Sequence, residues 1–187
     1  MLKMNMLDEK INRFLESGTK EEKIKTLESL ENTKIPEIID KIISKLDDPD
    51  IEVRGEAFSS LVLNENDISK ILVQNLESES KNIRGFSTLV LANRRNSDSI
   101  PVITNLTKDQ SGMVRACALG ALGYLKAKQS RKEIHDCFFD SNIEVKKSAL
   151  KAAIDIGEKI SSEDIIELSR EKDSEIEKLL MQAKINS

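Results

Sequence analysis

The chain has 187 residues, of which 33% are charged, 39% apolar and only 3% aromatic, with no Trp and a net charge of −4. That balance argues against a mostly disordered chain, and its sign leaves no global field drawing it to nucleic acid or an anionic membrane. No apolar run is long enough to span a bilayer or act as a secretory signal. Two cysteines, Cys117 and Cys137, make no disulfide framework, so a reduced, cytoplasmic setting is expected.

In chain order, LDEKINRFLES reads as a first helix with Leu7, Ile11, Phe14 and Leu15 on one face. TKEEKIKTLESL follows it, opened by a capping box of Thr19 with Glu22. The same alternation then recurs: IPEIIDKIISKL with DIEVRGEAFSSL, DISKILVQNLES with SKNIRGFSTLVL, and SIPVITNLTK with SGMVRACALGAL. SRKEIHDCFF with NIEVKKSALKAA and SSEDIIELSREK with DSEIEKLLMQAK complete it. Each pair is a helix A followed by a helix B, and nothing shows the period-2 alternation of strands.

Lys23, Arg54, Arg84, Arg115, Lys146 and Glu177 form a ladder along the B helices, one rung per unit at a near-constant interval. Four residues before each is a helix-capping type: Thr19, Asp50, Ser80, Ser111, Asn142 and Asp173. A repeat of roughly 31 residues signals stacked helix pairs rather than one closed core. One residue before the ladder come Val53, Ile83, Val114, Val145 and Ile176. Three after it come Thr26, Ala57, Ser87, Ala118, Ala149 and Leu180, and seven after it Leu30, Leu61, Leu91, Leu122, Ala153 and Lys184. These offsets differ by four, so they form one stripe per helix. Its small middle position would let neighbouring B helices approach.

A second column, Ile42, Leu72, Ile103, Ile134 and Ile165, marks the A helices. Pro36 and Pro101 fall in first turns of A helices, Pro49 in a turn between A and B, and Gly157 at the end of the fifth B helix. Polar substitutions in the end units, Glu22, Glu177 and Lys184, read as capping, and a complete short array is expected.

The signature D-x-x-x-x-x-[RK], with a small residue three later and Leu seven later, runs from Asp48 to Arg54, Asp109 to Arg115 and Asp140 to Lys146. In the third unit Ser78 replaces the acid before Arg84, and the last unit has Glu171. This pattern resembles HEAT-like repeats of the phycobilisome-lyase type over essentially the whole chain. The reading is all-α: a right-handed α-α superhelix of about six helix pairs in a single domain, residues 1–187. Its units run approximately over 2–32, 35–63, 67–95, 98–127, 130–157 and 161–186. The resemblance implies that the acid and base residues bridge adjacent repeats. The alternative, an Arg stripe for an anionic ligand, requires Arg54, Arg84 and Arg115 to face solvent. The family's functions are diverse, including bilin lyases, oxidoreductases and binding scaffolds.

A search for chemistry finds little. His135 is the only His, which argues against a His-based metal centre, and the His-Glu pairs of HEAT-repeat deoxyhypusine hydroxylases have no counterpart. His135, Asp136 and Cys137 diverge on a helix and form no constellation. Cys137 reads as a packed thiol near core residue Ile134. Gly55 and Gly85 follow ladder arginines and are expected to serve close helix packing, or else room for a partner's backbone. Asn93, Arg94, Arg95, Tyr124, Lys126 and Lys128 lie near B-helix C-termini and place the only Tyr among cations. Those cations also complement helix dipoles. HEAT-like alkylpurine DNA glycosylases are expected to be basic and aromatic-lined, which this acidic chain is not.

The expected function is a monomeric, non-enzymatic scaffold that binds another protein through a concave surface of B helices. The candidate contact residues are Glu56, Phe86, Arg94, Tyr124 and Lys151. No catalytic residue, metal site or cofactor is assigned. A bilin-lyase-like or oxidoreductase-related enzyme or accessory is the alternative, and nucleic-acid binding a second.

Overall fold

A computed structural model describes the backbone of residues 6–185, with side chains from 9 to 183. The expectations for Leu7 and Lys184, and the outermost unit limits at 2 and 186, lie outside the described residues. The described residues form twelve α-helices, with no strand among them. They divide into two compact units, Met1–Val90 and Leu91–Ser187, the division falling inside one helix.

The first unit carries α1 (Met6–Ser17), α2 (Lys20–Ser29), α3 (Pro36–Ser44), α4 (Ile51–Leu63), α5 (Ser69–Gln74) and most of α6 (Lys81–Asn93). Its core is aliphatic: Leu15, Leu27, Ile39, Ile42, Ile43, Leu46, Val53, Ala57 and Leu72 are buried. The second carries α7 (Ile100–Asn105), α8 (Gly112–Tyr124), α9 (Arg131–Asp136), α10 (Ile143–Asp155), α11 (Ser162–Ser169) and α12 (Ser174–Ile185). Ile103, Val114, Ala118, Leu122, Ile134, Val145, Ala149, Ala153, Ile176 and Leu180 are buried there. With almost no aromatics to fill wide gaps, the helices must lie close, and small residues let them. A Cβ on Gly123 of α8 would stand 3.0 Å from the Cα of Ala152 on α10.

The A segments depart from the continuous helices expected. Four of them end in a tight 3-10 turn, at Lys45–Asp47, Asn75–Glu77, Leu106–Lys108 and Cys137–Phe139. Such a turn pairs carbonyls that the end of a helix would otherwise leave unbonded. The residue after it is extended and opens the path to the B helix. There the carboxylates of Asp48, Asp109 and Asp140 accept the amide N–H two residues on, at 3.0, 2.7 and 2.8 Å. The Ser78 hydroxyl does the same at 3.3 Å.

The B-helix caps follow. Asp50, Ser80, Asn142 and Asp173 each accept two amides of the first turn, and Thr19 with Glu22 closes a reciprocal box. Ser111 occupies the cap position of α8 without a side-chain cap bond. Other expectations need correction. In α11 the buried residues are Asp164 and Leu168, and Ile165 is only half-buried. That last A helix is rotated so that Asp164 turns inward to accept from Ser161 and His135. Ile83 and Leu30 are half-buried. Gly55 is exposed, and a Cβ there would meet nothing within 4 Å, so close packing does not account for it.

Candidate functional site

The basic rungs are spent within the fold. Arg54 Nη1 donates to the carbonyls of Asp48 and Pro49 at 2.7 and 3.1 Å, and Arg84 Nη1 to those of Ser78 and Glu79 at 2.8 and 3.0 Å. Arg115 Nη1 reaches the Asp109 carbonyl at 2.8 Å, while its Nε and Nη2 grip the Asp140 carboxylate at 2.7 and 2.8 Å. Lys23 pairs with Asp48 at 2.7 Å, and Lys146 pairs with Glu171. In each of these three pairs the cation meets a carboxylate of the following helix-pair repeat, in the turn before its B helix. Asp48 and Asp140 thus each order their own turn through one oxygen and hold the preceding unit's cation.

Partial burial by itself would raise the Asp140 pKa. The Arg115 hydrogen bond, the Asn142 amide and the guanidinium charge together outweigh it and hold the carboxyl below its ordinary value. Asp48 is lowered in the same way, burial being outweighed by Lys23 and the Asp50 amide. Arg84 is buried, and Arg54 and Arg115 are half-buried. The geometry required by a solvent-facing Arg stripe is absent.

An opening lies in the second unit, on the face where α8 and α10 end. It is a cleft of about 640 Å³ lined by Arg95, Ser97, Gly120, Tyr124, Leu125, Lys126, Lys151 and Asp155. Tyr124 ends α8 and is 52% exposed, because the buried stripe of that helix occupies its opposite side. Gly120 and Lys151 are also exposed. Asp155 lies one turn after Lys151 and accepts from its Nζ at 3.0 Å. Lys126 Nζ donates to the Asp155 carbonyl at 2.7 Å and stands 3.8 Å from its carboxylate. Three cations against one carboxylate leave the lining at +2, opposite in sign to the chain's −4.

Arg95 and Lys126 reach the rim through an unusual backbone. Both have positive φ, 55° and 53°, and Gly157, at the matching position one unit after Lys126, has φ 77°. All three are the left-handed residue of a Schellman motif. Arg95, Lys126 and Gly157 donate to Ala92, Gly123 and Ile154 at 2.8, 3.1 and 3.0 Å. The following residues Asn96, Ala127 and Glu158 donate to Leu91, Leu122 and Ala153 at 3.0, 3.0 and 2.9 Å. Glycine takes this conformation without strain, whereas for other L-residues it costs roughly 1–2 kcal/mol. Two of these three positions carry cations that face the cleft; Lys172, with φ 52°, is left-handed too but lies outside it.

Among the candidate contacts, Tyr124 and Lys151 come together in this cleft. Glu56 and Phe86 belong to the other unit and are half-buried, not fully exposed as expected. The Ser60 hydroxyl donates to Glu56 at 3.4 Å. Burial, with Glu28 and Glu31 nearby, raises the Glu56 pKa. Arg94 is half-buried and does not line the cleft. Arg95 and Lys126 were visible only as part of a basic neighbourhood. Their sequence signal is the column, one position per unit, that ends on Gly157.

The thiols and the histidine diverge. Cys137 is buried and points at the Thr107 carbonyl, 3.7 Å away; Cys117 is half-buried, and both are free. Burial pushes each thiol up to about 11. His135 instead faces the Asp164 carboxylate at 3.1 and 3.2 Å, with Phe138 and Phe139 at ring distances of 5.1 and 5.7 Å. Among the described residues no group of three His, Cys, Asp or Glu forms a metal site, and no helix is long and apolar enough to cross a membrane.

No model of a known protein family matches the chain, and no curated protein does either. Solved structures do match. A designed armadillo repeat protein is 18% identical, with 95% of this chain and 98% of that one covered at a TM-score of 0.54. Another, in complex with the peptide (KR)4, is 17% identical with the same coverage and a TM-score of 0.56. An engineered protein reaches 0.59 at 16% identity, with 98% of both chains covered. At these identities the likeness concerns the fold, and the chain has the all-α repeat architecture of armadillo-like proteins.

Proposed function

We propose that this chain is a monomeric, cytoplasmic, non-enzymatic scaffold of the HEAT-like type, related to the phycobilisome-lyase repeats, that binds another protein. The cleft at the ends of α8 and α10 is its main contact surface. The observation that carries the reading is the exposed Tyr124, set among Arg95, Lys126 and Lys151 on a face that the core does not use. Tyrosine and arginine are residue types enriched where partners bind, and tyrosine offers large contact area with few torsions to freeze. A similar fold in a designed protein holds a peptide, which supports the class of function and leaves the partner to this chain's own chemistry. Glu56 and Phe86 in the first unit, and Arg94 in the second, are proposed as additional contacts.

The test is photo-crosslinking in the native cell. A benzoylphenylalanine at Tyr124 is expected to give a discrete adduct with one partner, and the same probe at the exposed Lys132 of α9 none. Equal labelling from both positions, or none from Tyr124, would remove the reading.

A further inference from the structure

We infer that the cleft between the ends of α8 and α10 takes an acidic peptide segment, read by Arg95, Lys126 and Lys151 beside Tyr124. This rests on the protein-binding reading above and adds the chemistry of the bound segment. Charge complementarity gives the sign, because the lining is +2 on a chain of −4. Such a local reversal steers an acidic segment to one place and repels a basic one. The peptide of the designed armadillo complex, (KR)4, is basic, so the expected preference is the opposite.

Two further features point to a chain-like occupant and away from a small anion or a nucleic acid. Gly120 sits in the middle of α8, exposed, and a Cβ built on it meets nothing within 4 Å. A helical glycine costs roughly 0.5–1 kcal/mol against alanine, and no contact within the fold requires it. It leaves helix backbone bare on the cleft floor, where another backbone has room to approach. The opening of about 640 Å³ far exceeds an inorganic anion. A nucleic acid would call for a longer basic track and several stacking rings, whereas among the described residues Tyr124 is the only ring lining this cleft.

Glycine at positions 95 and 126 would relieve the left-handed conformation, as it does at Gly157. Cations stand there instead, at a cost to the fold; Lys172, at φ 52°, does the same outside this cleft, so the strain accompanies the site without marking it. Lys126 also meets the carbonyl end of α10, which a helix dipole favours. Asp155 partly neutralises both lysines and is the one lining group that opposes an acidic ligand.

The experiment is fluorescence anisotropy with labelled (DE)4, (KR)4 and (GS)4 peptides and a short oligothymidylate, at low and high salt. The acidic peptide is expected to bind best and to weaken as salt rises. Each partly exposed cation contributes about 1.5–5-fold. The double variant Arg95→Gly/Lys126→Gly should therefore bind about 10-fold more weakly while melting no lower than the parent. Lys151→Glu should also weaken binding, and Asp155→Asn should tighten it about 2-fold or more. Gly120→Ala should raise the melting temperature and weaken binding.

Tighter binding of (KR)4 or (GS)4 would overturn the acidic preference and leave the protein-binding reading intact. Tighter binding of the oligonucleotide would overturn it in favour of nucleic acid. Unchanged affinity in the double variant would overturn the residue assignment. Failure of every probe to bind would overturn the acidic-peptide proposal, with the crosslink from Tyr124 judging the scaffold reading separately.

Discussion

Replacing Asp140 with Asn removes one charge from the pair that links the turn before α10 to α8 and little else. The new amide oxygen still accepts the Asn142 N–H, now 2.8 Å from Asp140, so the turn itself keeps its bond. Arg115 keeps the Asp109 carbonyl at 2.8 Å. What is lost is the Nε contact at 2.7 Å, where an amide NH2 would now face a donor, and the charge behind the Nη2 contact at 2.8 Å, which is made to the same oxygen as the Asn142 N–H. The side chains are 16% and 12% exposed, so the pair stands between a surface ion pair, worth up to about 1 kcal/mol, and a buried one, whose breaking costs about 3–5 kcal/mol. We expect a loss of about 2 kcal/mol, read by urea unfolding with circular dichroism and compared at unchanged m-value.

A double-mutant cycle with Arg115→Met separates the pair's coupling from the cost of each change. The sign with pH follows from the lowered carboxyl. Its folded-state pKa lies below the unfolded value of about 4. The stability it contributes is therefore present above that value and is lost as pH falls through the folded pKa. Asp140→Asn should flatten this part of the acid limb. A loss under about 0.5 kcal/mol, the level of an ordinary exposed pair, with no coupling to Arg115 would refute the view that these pairs hold consecutive helix-pair repeats together.

Three further outcomes are expected. Ser87 lies in the small column of α6, buried, with no hydrogen-bond partner for its hydroxyl among the described residues. Ser87→Ala should raise stability by about 1 kcal/mol and the melting temperature by roughly 2–4 °C, checked by thermal denaturation. Gly123→Ala should destabilise by about 1 kcal/mol or more, since the added Cβ meets the Ala152 backbone at 3.0 Å; urea titration measures it. Cys117 and Cys137, with thiols pushed up to about 11 by burial, should react with a disulfide reagent at mildly alkaline pH far more slowly in the native protein than in denaturant.

Much of the architecture could be read along the chain, because the stacking interaction repeats. A residue that must face its neighbour in one unit must do so in the next, so Ala57, Ala118 and Ala149 fall in one column and are all buried. The N-caps were equally legible, since their bonds reach only two or three residues forward. Ser111 shows the limit, because position and residue type do not guarantee the bond.

The departures have a different cause. Helix number, helix order and the buried stripe follow from the letters alone, since they depend on contacts that recur at a fixed period. Which exposed residues share a surface is settled in three dimensions. Arg95, Lys126 and Lys151 meet because three helix ends converge, and no periodicity of one helix records that. Gly55 and Gly123 look alike as letters, yet one faces open space and the other a neighbouring backbone. That difference lies in the partner atoms, which are supplied by a distant part of the chain.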